Sequence, residues 1–148
     1  MPSEPQAHVG VSFITLGVSD LDRSRRFYES IGFTPEPKGG DSVVFFNLSG
    51  LVLALYPREE LARDANTFAG EVQGIVSSLS QNVTSETEVR ERIDRARAAG
   101  GRVLREPSEP TWGGLRGYFA DPDGFVWEVA WNPNVDLLED GRIRWRST

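Results

Sequence analysis

The second half of the chain repeats the first. Laying Val83 on Val18 sets residues 78–89 over residues 13–24, and each run continues as an amphipathic stretch ending at a glycine, Gly32 in one copy and Gly100 in the other. Laying Gly124 on Gly50 then matches residues 119–129 with residues 45–55 without a gap. Two matches in the same order define two copies of one unit, and such units are stable because each buries its apolar face against its neighbour. Each copy reads strand, helix, then three short strands. A chain of 148 residues can bury one substantial core. The expectation is one domain over 1–148 holding two modules, 11–57 and 75–132, with a linker over 58–74 and a tail over 133–148.

Local patterns support this division. Residues 11–18 alternate, with Ile14, Leu16 and Val18 on one face and Phe13, Thr15 and Gly17 on the other, which is strand periodicity. Ser19 or Asp20 can cap the helix that follows, whose stripe is Leu21, Ser24, Phe27, Tyr28 and Ile31. A short strand near Phe33 and a hairpin of 43–48 with 51–56, turned at Ser49 and Gly50, complete the first module. The linker is charged and rich in small residues, with a turn or two of helix expected over 59–65. In the second module a strand is expected over 75–83. Ser85 and Glu88 then have capping-box spacing before the stripe Val89, Ile93 and Ala96, and Gly100 and Gly101 end the helix. Residues 103–105 read as a strand, 107–114 as a loop, and 115–120 with 125–131 as a second hairpin across 121–124. The tail from Asn132 is charged and interrupted by proline. It is expected as an edge segment or an interface arm, with Trp145 anchoring it to its own domain or to a second subunit.

Composition narrows the partners. The formal charge of −6 disfavours nucleic acid and anionic membrane surfaces. There is no cysteine, hence no disulfide framework and no thiolate chemistry, and no apolar run approaches the roughly 20 residues of a membrane span. A soluble cytoplasmic protein is the expectation.

Two segments carry a family resemblance: LGVSDLDRSRRFYESIGF at 16–33 and YFADPDGFVWEVAWNP at 118–133, with VTSETEV at 83–89 as the entry to the second helix. Over roughly residues 12–133 the chain resembles the vicinal oxygen chelate superfamily. That group includes glyoxalase I, bleomycin-resistance proteins, extradiol dioxygenases, fosfomycin-resistance enzymes and methylmalonyl-CoA epimerase. The resemblance implies an α+β fold of two βαβββ modules whose mixed sheets curl around a cleft, commonly completed by a homodimer. It also implies where a divalent metal would sit, on side chains at equivalent places of the first and last strands of each module. Those places are Phe13 and Ala54, and Ser78 and Glu128. The internal repeat pairs Phe13 with Ser78 and Ala54 with Glu128, so the assignment is checked twice. Only Glu128 is an ordinary ligand, whereas a catalytic metal normally takes about three from His, Asp, Glu or Cys. The one histidine, His8, lies five residues before Phe13. No resident cofactor is therefore expected, with a divalent metal as the alternative.

Strand alternation defines the expected cleft lining, because residues on the face of Glu128 share its surroundings. They are Val126 and Ala130, Val52, Ala54 and Tyr56, Phe13 and Thr15, and Ser78, Ser80 and Asn82. The opposite faces, with Leu51, Leu53 and Leu55 and with Phe125, Trp127, Val129 and Trp131, are core. Such a cleft suits a small organic ligand with an apolar body and a polar or cationic handle. Glu128 is the one candidate catalytic residue: a proton shuttle in an apolar cleft, or a counter-charge beside a cation. Trp112, beside Gly113 and Gly114, is expected as a lid or stacking residue at the mouth, or as a dimer contact. Arg116 and Tyr118 share a face and can orient a carboxylate or phenol. No histidine or lysine base accompanies the serines, which argues against nucleophilic catalysis.

The favoured function is metal-free binding of a cationic or aromatic small molecule, similar to the sequestering bleomycin-resistance proteins. The alternatives are a glyoxalase-like lyase or epimerase in which Glu128 is a metal ligand, and a metal-independent isomerase or lyase. In the last, Glu128 is the base and Tyr118 or Arg116 stabilises an enolate oxygen.

Overall fold

Each copy of the repeat builds its own four-stranded mixed sheet. A computed structural model describes residues 10–147. The first copy supplies β1 (Phe13–Val18), α1 (Leu21–Ser30), β2 (Pro35–Glu36), β3 (Val44–Asn47) and β4 (Val52–Pro57). The linker forms α2 (Arg58–Asp64). The second copy supplies β5 (Leu79–Asn82), α3 (Glu86–Ala98), β6 (Arg102–Ser108), β7 (Leu115–Ala120) and β8 (Val126–Trp131). The strand orders are β1-β4-β3-β2 and β5-β8-β7-β6, so the two sheets have the same topology. In each, the first strand runs parallel to the last and the rest is antiparallel. Both sheets stay open, with β1, β2, β5 and β6 as edges.

Side-chain oxygens set the starts of α1 and α3. Asp20 caps α1 by accepting from Arg23 N at 3.0 Å. Ser85 caps α3 by accepting from Glu88 N at 3.2 Å. The Glu88 carboxylate reaches back to Thr84, accepting from its N at 3.0 Å and its Oγ1 at 3.1 Å. Those bonds, led by the backbone one, hold its carboxyl below the usual range. Of the predicted stripes, Ser24, Phe27 and Tyr28 in α1 and Val89, Ile93 and Ala96 in α3 are buried, and Leu21 and Ile31 are partly buried against the same core.

One core joins the two modules. Trp127 of β8 lies 5.9 Å from Tyr28, 5.7 Å from Phe33 and 6.4 Å from Phe119, ring centre to ring centre. Polar contacts fix the same junction. Asp121, in the turn between β7 and β8, is buried and accepts from Tyr28 Oη at 2.6 Å, Phe125 N at 2.8 Å and Asp123 N at 3.0 Å. Trp127 Nε1 donates to Tyr28 Oη at 3.0 Å. Asp123 accepts from Ser19 N at 2.9 Å, Ser19 Oγ at 2.8 Å and Ser24 Oγ at 3.0 Å. Ser19 therefore serves the junction rather than the helix cap. The two segments that carry the family resemblance are the two halves of this contact.

Four expectations need correction. The strand over 75–83 shrinks to β5, because the ladder to β8 begins at Leu79 opposite Trp127. Ile75, Val76 and Ser78 fall outside it and are exposed. The strand near Phe33 is instead Pro35–Glu36, while Phe33 packs against the core. The strand over 103–105 continues as β6 through Pro107 to Ser108, into the expected loop. An edge strand tolerates proline, and the ladder to β7 shifts register twice along this stretch. The tail forms a hairpin of its own, β9 (Val135–Leu137) with β10 (Ile143–Trp145). Val135 is buried, but Trp145 is 70% exposed, so its ring does not anchor the tail to its own domain. No described helix is long and apolar enough to cross a membrane.

Candidate functional site

The face of the second sheet that points away from the core carries a row of polar side chains built by cross-strand register. Ser80 and Tyr118 both stand opposite Glu128, one on each side, and Arg105 stands opposite Tyr118. Ser80 Oγ donates to Glu128 Oε1 at 2.9 Å and Tyr118 Oη donates to Glu128 Oε2 at 2.9 Å. Each carboxylate oxygen therefore has a neutral donor, which holds the group in one orientation without cancelling its charge. The next row runs Asn82, Ala130, Arg116 and Ser108. Arg116 Nη1 donates to Ser108 O at 3.0 Å and Ser108 Oγ at 2.7 Å. No described ion pair engages Arg105 or Arg116. Glu128 and Arg116 are half-buried, and Ser80 is exposed. This surface offers a fixed carboxylate, a phenol that it polarises, and a guanidinium with spare donors.

Burial, and then the hydrogen bond to Glu128, push the Tyr118 phenol above its ordinary range. Glu128→Gln keeps an acceptor but removes the carboxylate charge that strengthens the hydrogen bond and adds its own raising effect, and it leaves the burial. The Tyr118 titration is accordingly expected to move down while staying above an exposed tyrosine, as read by NMR of the ring carbon bearing the hydroxyl. An unchanged titration would mean that the Glu128 carboxylate does not act on the Tyr118 hydroxyl in solution.

The corresponding face of the first sheet is apolar at its centre, with Glu36 and Asn47 toward its β2 edge, where Asn47 Nδ2 donates to Glu36 Oε2 at 2.9 Å. Ala54 is buried, and Phe45 stands opposite it across the hairpin, edge to face with Phe13 at 6.1 Å. Phe45 was not among the expected lining residues. Alternation along β3 carried the signal, since Phe46 enters the core and its neighbour must face the other way. Phe13 is 57% exposed, Thr15 is exposed, and Val52 and Tyr56 are half-buried. Val126 and Ala130 of the second sheet are buried.

The structure thus brings Ser80, Tyr118 and Glu128 into direct contact and sets Asn82 and Arg116 in the adjoining row. Phe13, Thr15, Ala54 and Tyr56 lie on the other sheet and share no hydrogen bond with that group. Trp112 sits at the far end of β8: its carbonyl accepts from Asn134 Nδ2 at 3.4 Å, and its ring crowds Gly114 beside Pro133. His8 lies outside the described residues. A cavity of about 740 Å³ lies under the linker and shares Thr15 alone with the predicted lining.

The four family metal positions do not fit a divalent ion. Phe13 and Ala54 carry no ligating side-chain atom, Ser78 lies outside β5, and Glu128 is left as the one ordinary ligand of the four. Among the described residues no group of three or more His, Cys, Asp or Glu is placed to hold a metal ion.

Comparison with known proteins agrees with this architecture. Residues 8–129 match the family described as Glyoxalase/Bleomycin resistance protein/Dioxygenase superfamily. A glyoxalase-related enzyme from Fulvimarina pelagi is 40% identical with a TM-score of 0.86, over 93% of this chain and 99% of that one. A glyoxalase/bleomycin resistance protein/dioxygenase family enzyme from Burkholderia phytofirmans is 20% identical, TM-score 0.71, over 80% and 95%. A lactoylglutathione lyase from Agrobacterium tumefaciens is 23% identical, TM-score 0.64, over 86% and 96%. The last two share the fold. Two copies of one βαβββ unit, two sheets of identical strand order and a family match over residues 8–129 lead to one conclusion: the chain belongs to the glyoxalase/bleomycin resistance protein/dioxygenase superfamily.

Proposed function

We propose that the chain binds a small organic molecule on the open face of its second sheet, without a resident metal, and that the row Ser80, Glu128 and Tyr118 is its recognition group. The observation that carries this reading is the Glu128 carboxylate, half-buried and held by two neutral hydroxyl donors at 2.9 Å each. A carboxylate fixed in that way is pre-oriented for a cation or a hydrogen-bond donor on the ligand, and it loses little freedom on binding. Titration calorimetry with bleomycin, a cationic glycopeptide with an aromatic tail, tests it. Binding near one equivalent is expected, weakened about tenfold by Glu128→Gln through loss of a charge-assisted contact. No heat, or equal affinity in the two proteins, would count against the proposal.

A second reading is favoured by the 40% identity to a glyoxalase-related enzyme. Glu128 then takes a proton from carbon beside a carbonyl, and Tyr118 or Arg116 stabilises the developing oxyanion. Its signature is deuterium entering the substrate carbon of the glutathione hemithioacetal of methylglyoxal in heavy water, lost in Glu128→Gln. The same exchange in both proteins would remove Glu128 from the reaction.

A further inference from the structure

The linker builds a concavity away from the Glu128 row. α2 can lie against β1 because Gly17 has no side chain; a Cβ there would stand 3.1 Å from both Arg58 Cβ and Leu61 Cδ2. After α2 the chain doubles back through residues 65–76 and borders an open concavity of about 740 Å³ against β1 and the turn before β8. That volume lies in the range of small-molecule sites. Leu61, Phe68, Val72, Val76 and Phe125 make much of the wall apolar. Phe68 is 87% exposed and Val76 96%. Apolar surface of this kind, gathered at the rim of a concavity, is a mark of something that covers it. Gly70 and Gly74 in the same segment have no atom within 4 Å of where a Cβ would stand, so the segment has room to adjust around an occupant.

The charges decide which occupant. Three charged side chains reach the cavity: Asp123, Glu71 and Arg58. Asp123 is committed to Ser19 and Ser24, with Arg23 at 3.5 Å, and its side chain is 5% exposed. Arg58 meets Glu71 at 3.5 Å, the long limit of a hydrogen bond, with Glu71 71% exposed and Arg58 29%. The charge fixed in the wall is therefore the guanidinium, and its partner is free to turn to water. We propose that this cavity binds an amphipathic anion: a carboxylate that replaces Glu71 on Arg58, attached to an unbranched apolar chain lying against Phe68, Val72 and Val76. Guanidinium suits a carboxylate because its parallel donors engage both oxygens.

The test is calorimetry on the full chain with three probes of equal length: octanoate, octanamide and octylammonium. One equivalent of octanoate is expected to bind, with the other two about tenfold weaker. Arg58→Met keeps an apolar stem and should bring octanoate down to the level of octanamide. Phe68→Ser, at a side chain that contributes little to the core, should weaken all three alike. No octanoate binding, equal affinity for the three probes, or octanoate binding that survives both substitutions would overturn the site. So would a change from dimer to monomer in Phe68→Ser, by sedimentation, in a protein that binds no octanoate; the segment would then be a contact between copies of the chain.

Discussion

Asp121→Ala is expected to destabilise the protein by about 3 to 5 kcal/mol in urea denaturation, since each buried donor left without a partner costs roughly 1 to 3 kcal/mol and such costs are not fully additive. The substitution strands three donors at once: Tyr28 Oη, Phe125 N and Asp123 N. Tyr28 is fully buried and accepts from Trp127 Nε1, so the disturbance reaches the aromatic junction between the modules. The effect should also depend on pH. Burial, the largest influence, holds the Asp121 carboxyl above its ordinary range despite the three hydrogen bonds. Its contribution is then complete below the unfolded carboxyl value of about 3.9 and is lost as pH rises through the raised folded value. The cost of Asp121→Ala is accordingly expected to be larger near about pH 4 than near about pH 7. The reverse trend would mean that the hydrogen bonds outweigh burial.

The repeat made the sheets legible because it fixes register. The alignment that sets Ala54 against Glu128 is repeated in the ladders, where Thr15 faces Ala54 and Ser80 faces Glu128. The faces of the polar row followed from alternation within each strand, and the register of the β7–β8 hairpin sets Tyr118 beside Glu128. Where an element's extent depends on its partner, periodicity within one segment was silent. Residues 75–78 lead into β5 with apolar and hydroxyl side chains but meet no ladder, and 106–108 join one despite Pro107 because β6 is an edge. The tail hairpin had a local signal in Asp140 and Gly141, the latter at φ +85, between two apolar-containing runs. Charge and proline drew the reading toward an arm instead. The linker cavity had no signal in sequence spacing at all. It arises because Gly17 lets α2 approach β1, a packing fact between segments about forty residues apart.

Trp127→Ala, one residue from Glu128, is expected to cost about 3 to 5 kcal/mol, the range for removing a large buried aromatic. Glu128→Gln is expected to change stability by about 0.5 kcal/mol or less, as for substitutions away from the core. The difference follows from alternation along β8. Trp127 points inward, 3% exposed, stacked on Phe119 within 7° and packed on Tyr28 and Phe33. Glu128 points outward to Ser80 and Tyr118 at the open face, and glutamine can still accept a hydrogen bond there. Trp127→Phe, which keeps a ring in the cluster but loses the donor to Tyr28 Oη, should recover much of the loss. Urea denaturation of the three variants, with calorimetry on each, separates the faces of the strand. Stability should track the inward residue and ligand affinity the outward one. A Glu128→Gln protein as unstable as Trp127→Ala would make the polar row a structural tie between β5, β8 and β7, and the case for recognition on this face would fall with it.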